Sequence, residues 1–139
     1  MKLPDSALVP APDYGLLYLR VTGALLLLYV HGLPKLLHYQ SELEHIDDPL
    51  HMGRGLTLLC ALLSEIGCPL LIAAGLLTRL AALPIIFLLL VSMVLVHPEW
   101  SVAEGQFGWL LLIVFGAIAL AGPGRYSIDA TLARRRMQG

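Results

Sequence analysis

The feature that most constrains this chain is a series of four long apolar stretches within 139 residues. They cover approximately residues 14–37, 56–77, 80–96 and 107–121. A helix that crosses a bilayer needs about 20 mostly apolar residues, and the last two stretches are close to the lower limit of that length. Because the stretches occupy most of the chain, we expect a single integral-membrane domain over residues 1–139, without a separate soluble domain.

Composition supports this assignment. Hydrophobic residues make up 58% of the chain and charged residues 14%, whereas soluble domains have about 45–50% apolar residues, glycine included, and about 25% charged residues. The net charge of -1 gives no basic surface for nucleic acid. We predict an all-α membrane protein, a four-transmembrane-helix bundle with short loops. A short basic tail helix follows, capped by Ser127 or Asp129 and carrying Arg134–Arg136 at the anionic inner leaflet.

The lysines and arginines near the span ends predict the orientation. One side of the membrane would carry six of them and the other two, Lys35 and Arg54. The six are Lys2, Arg79, Arg125, Arg134, Arg135 and Arg136. Since basic residues accumulate on the cytoplasmic side, we expect a multi-pass protein with both termini in the cytoplasm.

Polar residues cluster in the first span. Arg20 and His31 are eleven residues apart, close to three whole helical turns, so a regular helix places them on one face. Pro34 would kink the helix just before Lys35, because proline lacks a backbone donor. Two alternatives stay open: Lys35 reaches out to lipid headgroups and His31 bonds a neighbour, or both belong to a ligand or proton site.

Glu65 lies near the middle of the second span. A carboxylate at that depth is either protonated or paired. Arg20 is the expected partner from the inner side, and His31 or Lys35 from the outer side. The pairing is either structural or part of a site that handles protons or binds a ligand.

Two further groups of residues are weaker candidates. Cys60 and Cys68 are about 12 Å apart along a helix, too far for a disulfide within it, so we expect small apolar packing residues. The loop around residues 38–51 contains three histidines and four acidic residues, but their spacing fits no metal-ligand motif. We therefore expect no metal site and interpret this loop as a solvated acidic segment.

Three sequence elements resemble the DoxX family. They are HGLPK (His31–Lys35) after a first span containing Arg20, SEIGCPLLIAAGLLTRLAAL (Ser64–Leu83), and GPGRYSID (Gly122–Asp129). The resemblance rests on the order and spacing of these elements, and it extends over about residues 14–129. By position, the family's polar pattern corresponds to Arg20, His31, Lys35, Glu65, Arg79 and Asp129.

The resemblance implies a small four-helix protein of the bacterial inner membrane. Some relatives are subunits of thiosulfate:quinone oxidoreductases, and others are associated with membrane complexes for thiol and oxidative-stress handling. The first hypothesis is therefore a quinone-interacting subunit of an oxidoreductase complex. Quinone would be its ligand, with no covalently bound cofactor and no redox centre of its own.

Two other hypotheses remain open. The second is a non-enzymatic anchor or assembly factor for a protein partner, and the third is a small transporter. Apolar surfaces and small-residue stripes also permit a homo-oligomer. The sequence leaves open whether the chain is itself an enzyme.

Overall fold

The computed structural model describes residues 11–138, and every regular element in that range is a helix. In chain order these are α1 (Pro12–Leu37), α2 (Tyr39–His45), α3 (Arg54–Ala74), α4 (Thr78–Val96), α5 (Gln106–Ala121) and α6 (Ile128–Arg136). By length and composition, α1, α3 and α4 are able to cross a membrane, and α5 is a shorter apolar helix. This confirms the predicted all-α membrane bundle.

The helices end where the sequence contains residues that break a helix. α3 stops at Ala74, earlier than the sequence suggests, because Gly75 and Leu77 adopt positive φ angles of 74° and 50°. α4 starts directly afterwards and stops before the pair His97-Pro98. The last apolar helix ends at Gly122, whose φ is 86°. These glycines occupy backbone conformations that other residues rarely adopt.

The four apolar helices meet in one core. Its buried side chains come from all four: Ala24, Leu27, Ile72, Ala81, Ala82, Ile85, Leu89, Leu111, Phe115 and Ile118. The outward faces are also apolar, as shown by Phe107 at 74% exposed and Leu120 at 84%. A soluble protein rarely exposes such continuous apolar surface, so the bundle belongs in a lipid bilayer.

Each of the three long helices contains one wide π-helical turn. The turns are Leu28–Gly32 in α1, Leu63–Gly67 in α3 and Ser92–Val96 in α4. The first two end at the glycines of the matching tripeptides Gly32-Leu33-Pro34 and Gly67-Cys68-Pro69. Proline removes a backbone donor and crowds the carbonyl four residues earlier, and a wide turn accommodates both effects. α1 therefore continues through Pro34 to Leu37.

The bundle has two ends. We call residues 38–53 and 97–105 the loop end, and residues 75–77 and 122–138 the tail end. α1 and α4 run from the tail end to the loop end, and α3 and α5 run in the opposite direction.

Candidate ligand site beside a buried ion pair

Glu65 forms an ion pair with Lys35. The ammonium group Nζ of Lys35 donates to both carboxylate oxygens of Glu65, at 2.9 Å to Oε1 and 2.7 Å to Oε2. The side chains are 5% exposed for Glu65 and 21% for Lys35. Charge-assisted hydrogen bonds of this kind are short and strong, and they compensate for the removal of both charges from water.

A close contact between α1 and α3 brings the pair together. Gly32 lies against the backbone of α3, where a Cβ atom would overlap the Glu65 carbonyl oxygen and come within 2.8 Å of Ile66 Cγ1. Lys35 is three residues farther along, about 4.5 Å above Gly32. Side chains on a helix tilt toward its N-terminus, so the Lys35 chain returns to the level of Glu65. The structure therefore shows Lys35 paired with Glu65 within the bundle rather than reaching out to lipid headgroups.

Arg20 is not the partner of Glu65, and this part of the prediction was wrong. Its side chain is 2% exposed, and its guanidinium donates to the carbonyl oxygens of Pro123 and Tyr126, the latter at 2.7 Å. The prediction placed Arg20 too close to Glu65 in depth within the membrane. Arg20 is twelve residues before Gly32, about 18 Å along the helix, and therefore lies at the tail end rather than near the middle of the membrane.

His31 does not share a face with Arg20 either. Arg20 and Leu27 are both buried, and a regular helix would next bury His31. The wide turn Leu28–Gly32 contains one more residue than a regular helical turn, so the next position that faces the interior is Gly32 instead of His31. Gly32 is therefore buried and His31 is exposed. The ring of His31 makes no hydrogen bond to another described residue, whereas the rings of His38 and His45 each contact a backbone carbonyl oxygen.

The ion pair borders a cavity of ≈ 780 Å³. One wall is α3, a second is α4, and residues 46–52 of the loop end lie on a third side. Apolar side chains dominate the lining: Ile46, Pro49, Leu50, Met52, Ala61, Leu63, Pro84, Phe87, Leu88, Val91 and Val96. The few polar groups are Lys35 and Glu65 with Asp47, Thr57, Cys60, Ser64, Cys68 and Ser92.

Asp48 gives the loop beside this cavity its shape. Its carboxylate accepts hydrogen bonds from the backbone N–H of Met52 at 3.0 Å and of Gly53 at 2.7 Å, and from Thr57 Oγ1 at 2.7 Å. The Thr57 hydroxyl, followed by the backbone donors, lowers the pKa of Asp48 below its ordinary value. Since Thr57 belongs to α3, Asp48 fastens the loop to the helix that forms the cavity wall.

Both cysteines lie on the cavity wall, and both are free thiols. Cys60 is exposed on the outer surface of α3, and Cys68 is partly buried. Within residues 11–138, no group of three or more His, Cys, Asp or Glu side chains is arranged to hold a metal ion. In the loop-end segment, His38 and His45 instead contact the carbonyl oxygens of Pro34 and Ser41.

Three charged residues predicted from the resemblance hold the tail end together. Arg20 fixes the segment after α5 through its two carbonyl contacts. Asp129 accepts from the backbone N–H groups of Leu77 at 2.9 Å and Thr78 at 3.1 Å, and thereby caps α4. Arg79 lies over Gly122 and donates to the Leu120 carbonyl at 3.3 Å.

α6 has a cap of its own, because Ser127 Oγ accepts from the backbone N–H of Ala130 at 3.1 Å. Of the two cap residues considered for this helix, Ser127 therefore caps it, and Asp129 serves α4 instead.

Sequence reasoning predicted that Glu65 is paired from the first span, but it favoured Arg20 over Lys35 as the partner and missed most of the cavity. Ser64, Phe87 and Ser92 line it, yet in the sequence they are ordinary members of apolar spans. Only the repeated Gly-x-Pro tripeptide signalled that α1 and α3 depart from regular geometry at the same level.

The DoxX family model matches residues 15–98. The matched part is more than half of the chain and contains Arg20, Lys35, Glu65 and Arg79. The chain belongs to the DoxX family. The ion pair and the walls of the cavity all lie inside the DoxX match, whereas the GPGRYSID segment lies beyond it. No curated protein and no solved structure matches the chain.

Proposed function

We propose that this chain binds the head group of a lipid-soluble quinone and serves as a membrane subunit of a thiol- or sulfur-linked oxidoreductase complex. The observation that supports the proposal is the largely apolar cavity with the Lys35–Glu65 ion pair at its border. A quinone combines an apolar ring and tail with two carbonyl oxygens. Such a ligand suits an apolar cavity with a small number of polar groups.

The size and position of the cavity support the same ligand class. Its ≈ 780 Å³ lies within the range of about 300–1,000 Å³ found for small-molecule sites. Leu63 and Phe87 line it and are 58% and 59% exposed on the apolar outer surface of the bundle. A ligand dissolved in the bilayer therefore reaches the cavity from the side, between α3 and α4.

Lys35 has the hydrogen-bonding capacity that a carbonyl ligand needs. An ammonium group has three N–H donors, and Glu65 accepts two of them. The third has no acceptor among the described residues and is available to a quinone oxygen. Glu65 is the group next to it that exchanges a proton, and a donated bond from Lys35 favours the negative charge that develops on the quinone oxygen during reduction.

The reaction requires a partner. Reduction of a quinone to a quinol takes two electrons and two protons. In this proposal, oxidation of a thiol or an inorganic sulfur compound on a partner protein supplies the electrons. The protons reach the ring through Glu65. We place the chain in a bacterial inner membrane, with both termini and the tail end in the cytoplasm.

Equilibrium binding of a short-chain quinone tests the proposal directly. The purified chain in mild detergent is titrated with ubiquinone-1 and with menadione, and the dissociation constant is measured by calorimetry. Ser92→Phe places an aromatic ring in the cavity, and we expect it to weaken binding at least about tenfold, because the ring takes the ligand's space. Ala117→Phe, an exposed position on α5 outside the cavity, is the matched control.

A second variant tests the role of the ion pair. Lys35→Met combined with Glu65→Leu removes both charges and keeps the cavity apolar, so the chain still folds. We expect quinone affinity to fall about tenfold with the loss of the hydrogen-bond donor, since one such bond to a charged group contributes about 1.5–3 kcal/mol.

The first experiment, with Ser92→Phe and its control, decides the proposal as a whole. Equal affinities for the unmodified chain, Ser92→Phe and Ala117→Phe would refute the proposal and favour an anchor or assembly factor.

A further inference from the structure

We infer that the tail end contains a binding site for the phosphate headgroup of an anionic phospholipid. The site is a second cavity of ≈ 570 Å³ between the end of α3 and the helix α6. It is separate from the cavity beside Lys35, with which it shares no residue. Its lining residues are Ala74, Arg125, Tyr126, Ser127, Ile128, Thr131, Leu132, Arg134 and Arg135.

The charged side chains that line this cavity are all basic. Three arginines line it, and no acidic side chain does. None of the three forms an ion pair with a described acidic residue. The acidic groups nearby have other partners, because Asp13 accepts from the backbone N–H of Arg125 and Asp129 caps α4. The uncompensated positive charge favours an anion, and guanidinium groups are suited to phosphate because they offer paired donors.

The position of the cavity at the end of an apolar helix favours a lipid over a soluble anion as its ligand. Ala74 is the last residue of α3, so the cavity begins where an apolar helix ends. Ile128 and Leu132, one turn apart on α6, add apolar surface beside the arginines and are each 43% exposed. Leu70, one turn before Ala74 on α3, is 54% exposed. An acyl chain can lie along this strip while its phosphate contacts the arginines, as in other basic pockets at the ends of membrane helices.

The backbone segments that carry the arginines are fixed in position before any ligand binds. The Arg125 backbone N–H donates to Asp13 at 2.8 Å, and the neighbouring ring of Tyr126 stacks on Tyr14 with centroids 4.9 Å apart. Ser127 caps α6 and so fixes the helix that carries the other two arginines. Because this backbone is preformed, binding orders the arginine side chains but not the segments that carry them, which limits the entropy lost on binding.

Binding of a short-chain anionic lipid tests the inference. The full chain in mild nonionic detergent is titrated with dioctanoyl phosphatidylglycerol, and the dissociation constant is measured by calorimetry. Arg134→Gln and Arg135→Gln should each weaken binding about fivefold, which corresponds to the contribution of one basic residue near a membrane surface. Arg136→Gln is the matched control. It removes the same charge from the same helix, does not line the cavity, and should change the affinity less than about twofold.

Titrations with other ligands then identify which molecule the cavity binds. Dioctanoyl phosphatidylcholine should bind at least about fivefold more weakly, because it carries no net charge. Inorganic phosphate at the same concentration should not displace the lipid, since it lacks the acyl chains that contact Ile128 and Leu132. If Arg134→Gln, Arg135→Gln and Arg136→Gln weakened binding equally, the inference would be overturned in favour of diffuse surface charge. Displacement by inorganic phosphate, or tighter binding of a soluble poly-glutamate peptide, would overturn it in favour of a free anion or a protein partner.

Discussion

At the scale of single residues, a buried cation and a partly buried one in the same helix are stabilised in different ways. Lys35 donates to a carboxylate, so its charge is neutralised inside the bundle. Arg20, at 2% exposed, donates to two backbone carbonyl oxygens at the tail end instead. The planar guanidinium spans two carbonyls of one loop, whereas an ammonium matches a single carboxylate. Arg20 therefore has a structural position, while Lys35 borders the cavity.

A double-mutant cycle tests the ion pair. Lys35→Met or Glu65→Gln alone leaves the partner's charge buried and should lower the free energy of unfolding by about 3–5 kcal/mol. Removing both groups should cost clearly less than the sum of the two single changes, because no charge is stranded. Reversible unfolding in mixed micelles, followed by circular dichroism, measures these values. Glu99→Gln, at an exposed side chain of the loop end, should have almost no effect.

The same cycle with Arg20 in place of Lys35 separates the observed pairing from the one that the sequence suggested. Arg20 and Glu65 are at different levels and share no partner. Their effects should therefore add to within about 0.5 kcal/mol. A coupling of several kcal/mol between Arg20 and Glu65, with none between Lys35 and Glu65, would contradict the structure.

At the scale of helices, the wide turns determine which residues face the interior. Hydrophobic length and helix-breaking residues predicted the four apolar helices and most of their ends. The same reasoning predicted that Glu65 is paired from the first span. It assumed 3.6 residues per turn throughout α1, however, and one wide turn was enough to move His31 out of the interior and Gly32 into it. Such a shift depends on the contact with α3, which a single helix does not contain.

Two glycines in matching positions test this contact. Gly32→Ala would place a Cβ against the Glu65 carbonyl oxygen, so we expect it to destabilise the protein by about 1–3 kcal/mol. Gly67→Ala, in the equivalent tripeptide of α3, meets nothing within 4 Å. It should be neutral or stabilising by up to about 1 kcal/mol, because alanine favours helix. Thermal unfolding in detergent measures both, and equal destabilisation by the two variants would mean that Gly32 is not a helix contact.

At the scale of the whole molecule, charge separates the two ends of the bundle. Five arginines lie at or next to the tail end: Arg79, Arg125, Arg134, Arg135 and Arg136. Next to the loop end, Lys35 is neutralised by Glu65, and Arg54 donates to the Glu44 carbonyl at 2.6 Å. In net charge, the difference between the two ends is therefore larger than the number of basic residues alone indicates.

This difference predicts that the tail end lies in the cytoplasm, because basic residues near span ends are retained on that side. Alkaline phosphatase, which is active only after export, should be inactive when fused after Gly139 and active when fused within residues 99–104 of the loop end. Green fluorescent protein should show the reverse pattern. Replacing Arg134, Arg135 and Arg136 together with Gln should increase the inverted fraction, whereas Lys35→Gln should not increase it, because Lys35 lies toward the opposite side of the membrane. A C-terminal fusion with full phosphatase activity would place the tail end outside. The cavity lined by Arg125, Arg134 and Arg135 would then face the outer leaflet instead of the inner one. The lipid-binding experiment in detergent does not depend on orientation and would still test this cavity.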